Sequence, residues 1–214
     1  MTTLPVPVME LLFSRMLHDI VSPVAAVNNG VEFMRDMGGD MSDDVIELIE
    51  HSAHQASVRL QAFRLAYGAG GSEEMVSAKM IYEAFKSLID DARVTMEWDL
   101  LNDVPDEAPR GYFKCLMNSL MVLLETAPKG GAITVSTEGD ELTRAHITGE
   151  MILLDDPMRS ALTGQVEVED LTPKIIHGYA LHVFCDHFGV DLNVDQSADS
   201  LTLTLKTSVT STKD

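Results

Sequence analysis

A histidine followed by a carboxylate, with serine and proline one turn further on, stands at His18-Asp19-Ile20-Val21-Ser22-Pro23. A neutral imidazole is a competent nucleophile near pH 7, and histidine is among the side chains that form covalent intermediates. In phosphoryl transfer a protein mainly positions groups and stabilises charge. In such chemistry Asp19 is suited to hold the imidazole tautomer or accept its proton. Arg15 and Ser22 are suited to contact phosphoryl oxygens. A surface histidine standing alone is ordinarily just solvated. The neighbouring acid and the Ser-Pro pair set His18 apart from that case.

The element that must present this run is a helix. From about Val8 to Met37 the apolar residues Met9, Leu12/Phe13, Met16, Ile20, Val24, Val27, Val31 and Met34 recur in steps of three and four. Advancing about 100° per residue places them opposite His18, whereas Leu11, Ser14, Arg15, Ser22, Ala25 and Asn29 fall within about 60° of it. His18 is therefore expected to face solvent, within a strip of small and polar side chains that lets another protein approach. Leu11, Ser14, Ala25 and Asn29 are the candidate docking residues of that strip. Pro23 deletes the N–H that would bond the Asp19 carbonyl, at a cost of about 3 kcal/mol, and predicts a bend one turn beyond His18.

After Gly38-Gly39-Asp40-Met41, Ser42 is the expected N-cap of a second helix, with Asp43 and Asp44 in its first turn. That helix is predicted to reach about Tyr67, with Val45/Ile46, Ile49, Ala53, Ala56, Leu60 and Phe63 on one side. Two helices alone bury one seam, too little for independent stability. Two hairpins from two chains closing a four-helix bundle is the expected solution, so a homodimer is predicted.

Gly68-Ala69-Gly70-Gly71-Ser72 reads as a linker. It divides a helical hairpin, residues 1–70, from an α/β part, residues 71–214. There the periodicity predicts a helix capped by Ser77 and a strand over Val94–Leu100. A proline- and acid-rich loop, Asn102 to Pro109, precedes a helix from about Arg110 to Thr126. Strands near Ala132–Thr137 and Leu142–Thr148 follow. A short helix is expected within Met151–Glu169, then a helix starting at Pro173 and reaching about Phe188, and strands near Val190–Val194 and Leu201–Lys206. The whole is an α+β chain whose second part is an α/β sandwich with helices on one sheet face.

The chain has 214 residues, with 15 Lys plus Arg against 34 Asp plus Glu, for a formal charge of -19. Such a surface repels phosphate backbones and anionic lipid, which argues against nucleic-acid and membrane partners. Cys115 and Cys185 stand far apart with no CxxC, so neither a disulfide framework nor a zinc site is expected. His51 and His54 lack a third ligand and read as surface residues. His177, His182, Cys185 and His187 scatter around one helix and read as core or surface. No basic leader and no run of membrane length stand in the sequence, so a cytoplasmic location is expected.

The run from His18 through Asn28-Asn29-Gly30-Val31-Glu32, together with Phe63-Arg64-Leu65-Ala66-Tyr67-Gly68 closing the second helix, resembles the alphaproteobacterial histidine phosphotransferases of the ChpT type. His18 to Pro23 itself is similar to the phosphoacceptor box of sensor histidine kinases. The resemblance implies hairpins that dimerise and a histidine, here His18, that carries phosphate between receiver-domain aspartates. It implies a donor in the receiver domain of a hybrid histidine kinase and acceptors in downstream response regulators. The magnesium is then expected in the partner's receiver domain, and no cofactor in this chain.

The α/β order also resembles the ATP-binding domain of histidine kinases, in which an Asn-x-x-x-Asn pair supplies a magnesium ligand. The matching helix here has Asn118 but Val122 at the second position, and a valine cannot ligate a hard cation. The adenine-reading Asp-x-Gly-x-Gly element is absent from Ile147-Thr148-Gly149-Glu150. The glycine-rich phosphate lid has shrunk to Gly178, flanked by Tyr179 and Leu181. The expectation is a phosphohistidine relay whose second part no longer binds ATP. The rivals are an ATP-dependent histidine kinase and a receiver-binding adaptor without chemistry.

Overall fold

The computed structural model describes residues 5–36, 43–69, 76–98, 108–138 and 142–207. The expected Ser42 cap, most of the glycine linker with the boundary at 70/71, and most of the acid-rich loop lie outside those residues.

Two long helices come first, α1 (Val6–Asp36) and α2 (Asp43–Ala66), packed along each other. The close approach is visible at Gly30, where a Cβ would stand 2.6 Å from Ile49 Cγ1. Helix α1 runs through Pro23 without interruption, and the proline ring is buried. A packing role thus accompanies the lost hydrogen bond.

The apolar surface of α1 is wider than the predicted stripe and divides into two flanks. One, carrying Val8, Leu12, Pro23 and Gly30, packs within the chain. The other, carrying Val6, Met9, Phe13, Leu17, Val21 and Val24, is exposed in the single protomer. Met9, Phe13 and Val24 were expected in the core and are not in this chain's core. The apolar arc is wider than α2 and the α/β part can cover from one side.

The remaining elements are α3 (Ala78–Ile89), β1 (Val94–Trp98), α4 (Tyr112–Thr126), β2 (Gly131–Glu138), β3 (Leu142–Thr148), α5 (Asp156–Leu162), α6 (Ile176–Phe188), β4 (Val190–Gln196) and β5 (Ser200–Thr207). Ser77 caps α3 by accepting a hydrogen bond from the Met80 N–H. Asp155 does the same for α5, accepting from the Met158 N–H at 3.1 Å. Pro173 falls in a turn closed by the Ile175 N–H and the Thr172 carbonyl, not in the first turn of α6.

The sheet order is β1-β2-β3-β5-β4, with β1 parallel to β2 and the other neighbours antiparallel. Ile133, Val135, Ala145, Ile147, Leu201, Leu203 and Leu205 point inward, alternating with outward Thr134, Arg144 and Thr202. Each large inward side chain contributes about 1.5–3 kcal/mol by leaving water. Helix α4 is apolar nearly all round and is accordingly central, touching α2, α3, α6 and the sheet.

Polar ties join α2 to α4. Lys114 Nζ donates to the Gly68 carbonyl at 2.7 Å, and Asn118 Nδ2 donates to the Ala66 carbonyl at 2.8 Å. These are carbonyls at the C-terminal end of α2, which no helical N–H can satisfy. Gln55, further back on α2, bonds Asp91 just beyond the end of α3. Among the described residues no helix is long and apolar enough to cross a membrane.

Candidate functional site

Helix α1 carries His18 near its middle, with the side chain 84% exposed. Its Nδ1 stands 3.4 Å from Asp19 Oδ1. If Nδ1 carries the proton toward Asp19, Nε2 keeps a lone pair on the open side. Ser14, Ser22, Ala25 and Asn29 are exposed, as the helical wheel predicts, and none of them is bulky. Leu11 differs from its expected exposure: it is half-buried and packs against the core from the α1 side.

Arg15 is engaged rather than free. Its Nε lies 3.2 Å from Asp19 Oδ2, and its Nη2 donates to Glu125 Oε1 at 3.1 Å. On the wheel, Arg15 and Asp19 lie between His18 and the flank that packs on the rest of the chain, which is why Arg15 can hold Asp19 and reach α4 together. Solvent reaches the Arg15–Glu125 pair through a cleft of about 810 Å³ whose walls also carry Asp155 and Lys174.

Glu125 and His177 are absent from the sequence reading of the site. His177, from the first turn of α6, is 3% exposed and its Nδ1 donates to the same Glu125 Oε1 at 2.8 Å. The ring lies against Tyr67 and Phe63, with centroids 5.7 and 6.5 Å away. Burial pushes the Tyr67 phenol well above its usual value, and the Glu125 charge adds to the shift. One signal for Glu125 was present in the sequence. It is the only acid of α4 and stands in the last turn, where the helix dipole disfavours negative charge and a nearby cation is favoured.

The positions that the kinase resemblance assigns to a nucleotide are filled by packing. Val122 is fully buried. Asn118 spends its amide on the Ala66 and Lys114 carbonyls. A Cβ at Gly178 would stand 2.6 Å from Met158 Sδ and 3.4 Å from Leu162 Cγ, so this glycine lets α6 lie against α5. His51 Nε2 lies 3.7 Å from Asp91 Oδ2.

The chain thus joins an exposed, acid-flanked histidine on a helical hairpin to an α/β sandwich. Residues 79–200 match the family described as histidine phosphotransferase C-terminal domain, and the chain belongs to the histidine phosphotransferases. It is similar to the protein phosphotransferase ChpT of Brucella abortus (strain 2308), 29% identical over 199 residues that cover 89% of this chain and 91% of that protein. A solved bacterial phosphotransferase structure shares the fold, with a TM-score of 0.79 at 24% identity, covering 96% of this chain and 98% of that one.

Proposed function

We propose that His18 accepts a phosphoryl group from a receiver-domain aspartate and passes it to another, in a two-component phosphorelay. The observation that carries this reading is His18 itself, open to solvent at Nε2 and backed at Nδ1 by Asp19. The Nε2 lone pair attacks phosphorus of the partner's acyl phosphate. The N–P bond forms as the P–O bond to the aspartate breaks, and the carboxylate leaves with the electron pair. Asp19 stabilises the positive charge that develops on the imidazole and keeps its Nδ1 proton. The reverse sequence delivers the group to the next aspartate. Magnesium belongs in the acidic pocket of the partner's receiver domain. The donor would be the receiver domain of a hybrid kinase and the acceptors response regulators.

Residues up to about 70 would form the phosphoacceptor and dimerisation part. The exposed flank of α1, with Phe13, Leu17 and Val21, supports pairing with a second copy into a four-helix bundle. The second part would act as scaffold without ATP, a reading supported by buried Val122 and by Gly178 packed under Met158.

Transfer from a radiolabelled, phosphorylated receiver domain, run beside ATP alone, tests this. Label should reach the native chain and not His18→Ala, whose circular dichroism and thermal midpoint should stay as native because the side chain is exposed. Label from ATP alone would make the protein a kinase. Receiver binding without any labelled histidine would make it an adaptor.

A further inference from the structure

Glu125 stands in the last turn of α4, beside carbonyl ends that already carry partial negative charge. Its carboxylate is three-quarters buried, and two donors from different helices converge on one oxygen, Arg15 Nη2 at 3.1 Å and His177 Nδ1 at 2.8 Å. Arg15 then reaches Asp19 with Nε, at 3.2 Å but without an aligned hydrogen bond, so the pairing there is electrostatic. The guanidinium is planar and rigid, and its orientation is set at the end that is properly bonded, which is Glu125. Among the described residues Asp19 meets no basic side chain except Arg15 and His18. The placement of the carboxylate behind His18 thus depends on a residue of a distant helix.

We propose that Glu125, fixed by His177, is a positioning residue for phosphoryl transfer at His18. It holds Arg15, and through Arg15 the Asp19 carboxylate, so that the imidazole keeps its proton on Nδ1 and presents Nε2 to the incoming group. The proposal rests on the reading of His18 as phosphoacceptor. It differs from a purely structural role in one respect: Glu125 acts through Asp19, so its effect exists only while Asp19 is charged.

The test uses the full chain. Glu125→Gln keeps shape and one acceptor but loses the charge. Its transfer rate at saturating phosphorylated receiver should fall roughly five- to twenty-fold, a fraction of what an acid–base partner contributes, with KM for the receiver unchanged within about twofold. Nitrogen-15 spectra of labelled histidine should show His18 moving toward the Nε2–H tautomer. In an Asp19→Asn background, Glu125→Gln should change the rate by less than about twofold, because residues acting as one unit are not additive.

His177→Asn, which retains a donor, should keep most of the native rate, whereas His177→Leu should behave as Glu125→Gln does. A native tautomer and rate in Glu125→Gln would overturn the proposal. So would an equal slowing in the Asp19→Asn background, which would make the role structural. Label on His18→Ala would instead remove the reading beneath it. The tautomer measurement needs no transfer, so the two failures are distinguishable.

Discussion

The exposed flank of α1 leads to a quantitative expectation at Phe13, which is 61% exposed in the single chain. Full burial of a phenylalanine is worth about 1.5–3 kcal/mol, so covering what is open here contributes about 1–2 kcal/mol per copy. A twofold interface uses each residue twice, so Phe13→Ser removes about 2–4 kcal/mol from the proposed dimer and raises its Kd roughly 30- to 700-fold. The same substitution leaves the protomer nearly untouched, since Phe13 adds little to this chain's own core. Sedimentation equilibrium over a concentration series reads the dissociation constant, and urea unfolding of the monomeric fraction reads the protomer. The expected pattern is a large shift in the first with a native value in the second. A native chain that stays monomeric at tens of micromolar, or an undisturbed dimer in Phe13→Ser, would refute the assignment of this flank.

Two further expectations concern stability. Asn118→Ala leaves the Ala66 carbonyl at the end of α2 without its side-chain donor and should cost about 1–3 kcal/mol in denaturant unfolding, toward the lower end because the Asn118 Oδ1 has no partner among the described residues. A native midpoint would mean the clamp carries no net energy. Tyr67→Phe removes a buried hydroxyl with no hydrogen-bond partner among the described residues, so it should be neutral or stabilising by up to about 1 kcal/mol near pH 7. The folded chain holds the Tyr67 proton more tightly than the unfolded chain, whose phenol titrates near 10.0. That contribution is complete below pH 10 and is lost as pH rises above it, so native protein should destabilise more steeply in alkali than Tyr67→Phe. Tyr112, also raised by burial, stays in both and leaves a common slope. Equal slopes would contradict the reading.

Local signals carried much of the fold into view from sequence. Ser77 announces α3, alternation announces β3 over Leu142–Thr148, and the apolar run from Leu116 announces α4. The exposure of His18 follows from one helical wheel and its pairing with Asp19 from adjacency in the sequence, because both are set within the same helix. The divided burial of the α1 stripe did not follow, since periodicity gives the apolar arc and not which part of it a partner element covers. Leu11 illustrates the same limit. The meeting of Glu125 and His177 with Arg15 was beyond reach for a different reason: they join Arg15 only when α4 and α6 are brought to α1, and the position of Glu125 at the end of α4 marks it as unusual without naming its partners. His177 looked unremarkable among the scattered histidines of α6, and its role comes entirely from what packs around it.

The single buried cluster that includes Val8, Phe63 and Ala66 continues without a break through Leu116, Ile176 and Leu205. Hairpin and sandwich are consequently coupled in unfolding. Loss of the α/β part would strip α2 of one wall of its packing and of the donors at its C-terminal end. Calorimetry should therefore record one cooperative transition, and the slowest-exchanging amides of α2 should share their opening free energy with those of α4. In mechanical terms a force on the helix that bears His18 would be passed to the rest of the molecule through side-chain packing.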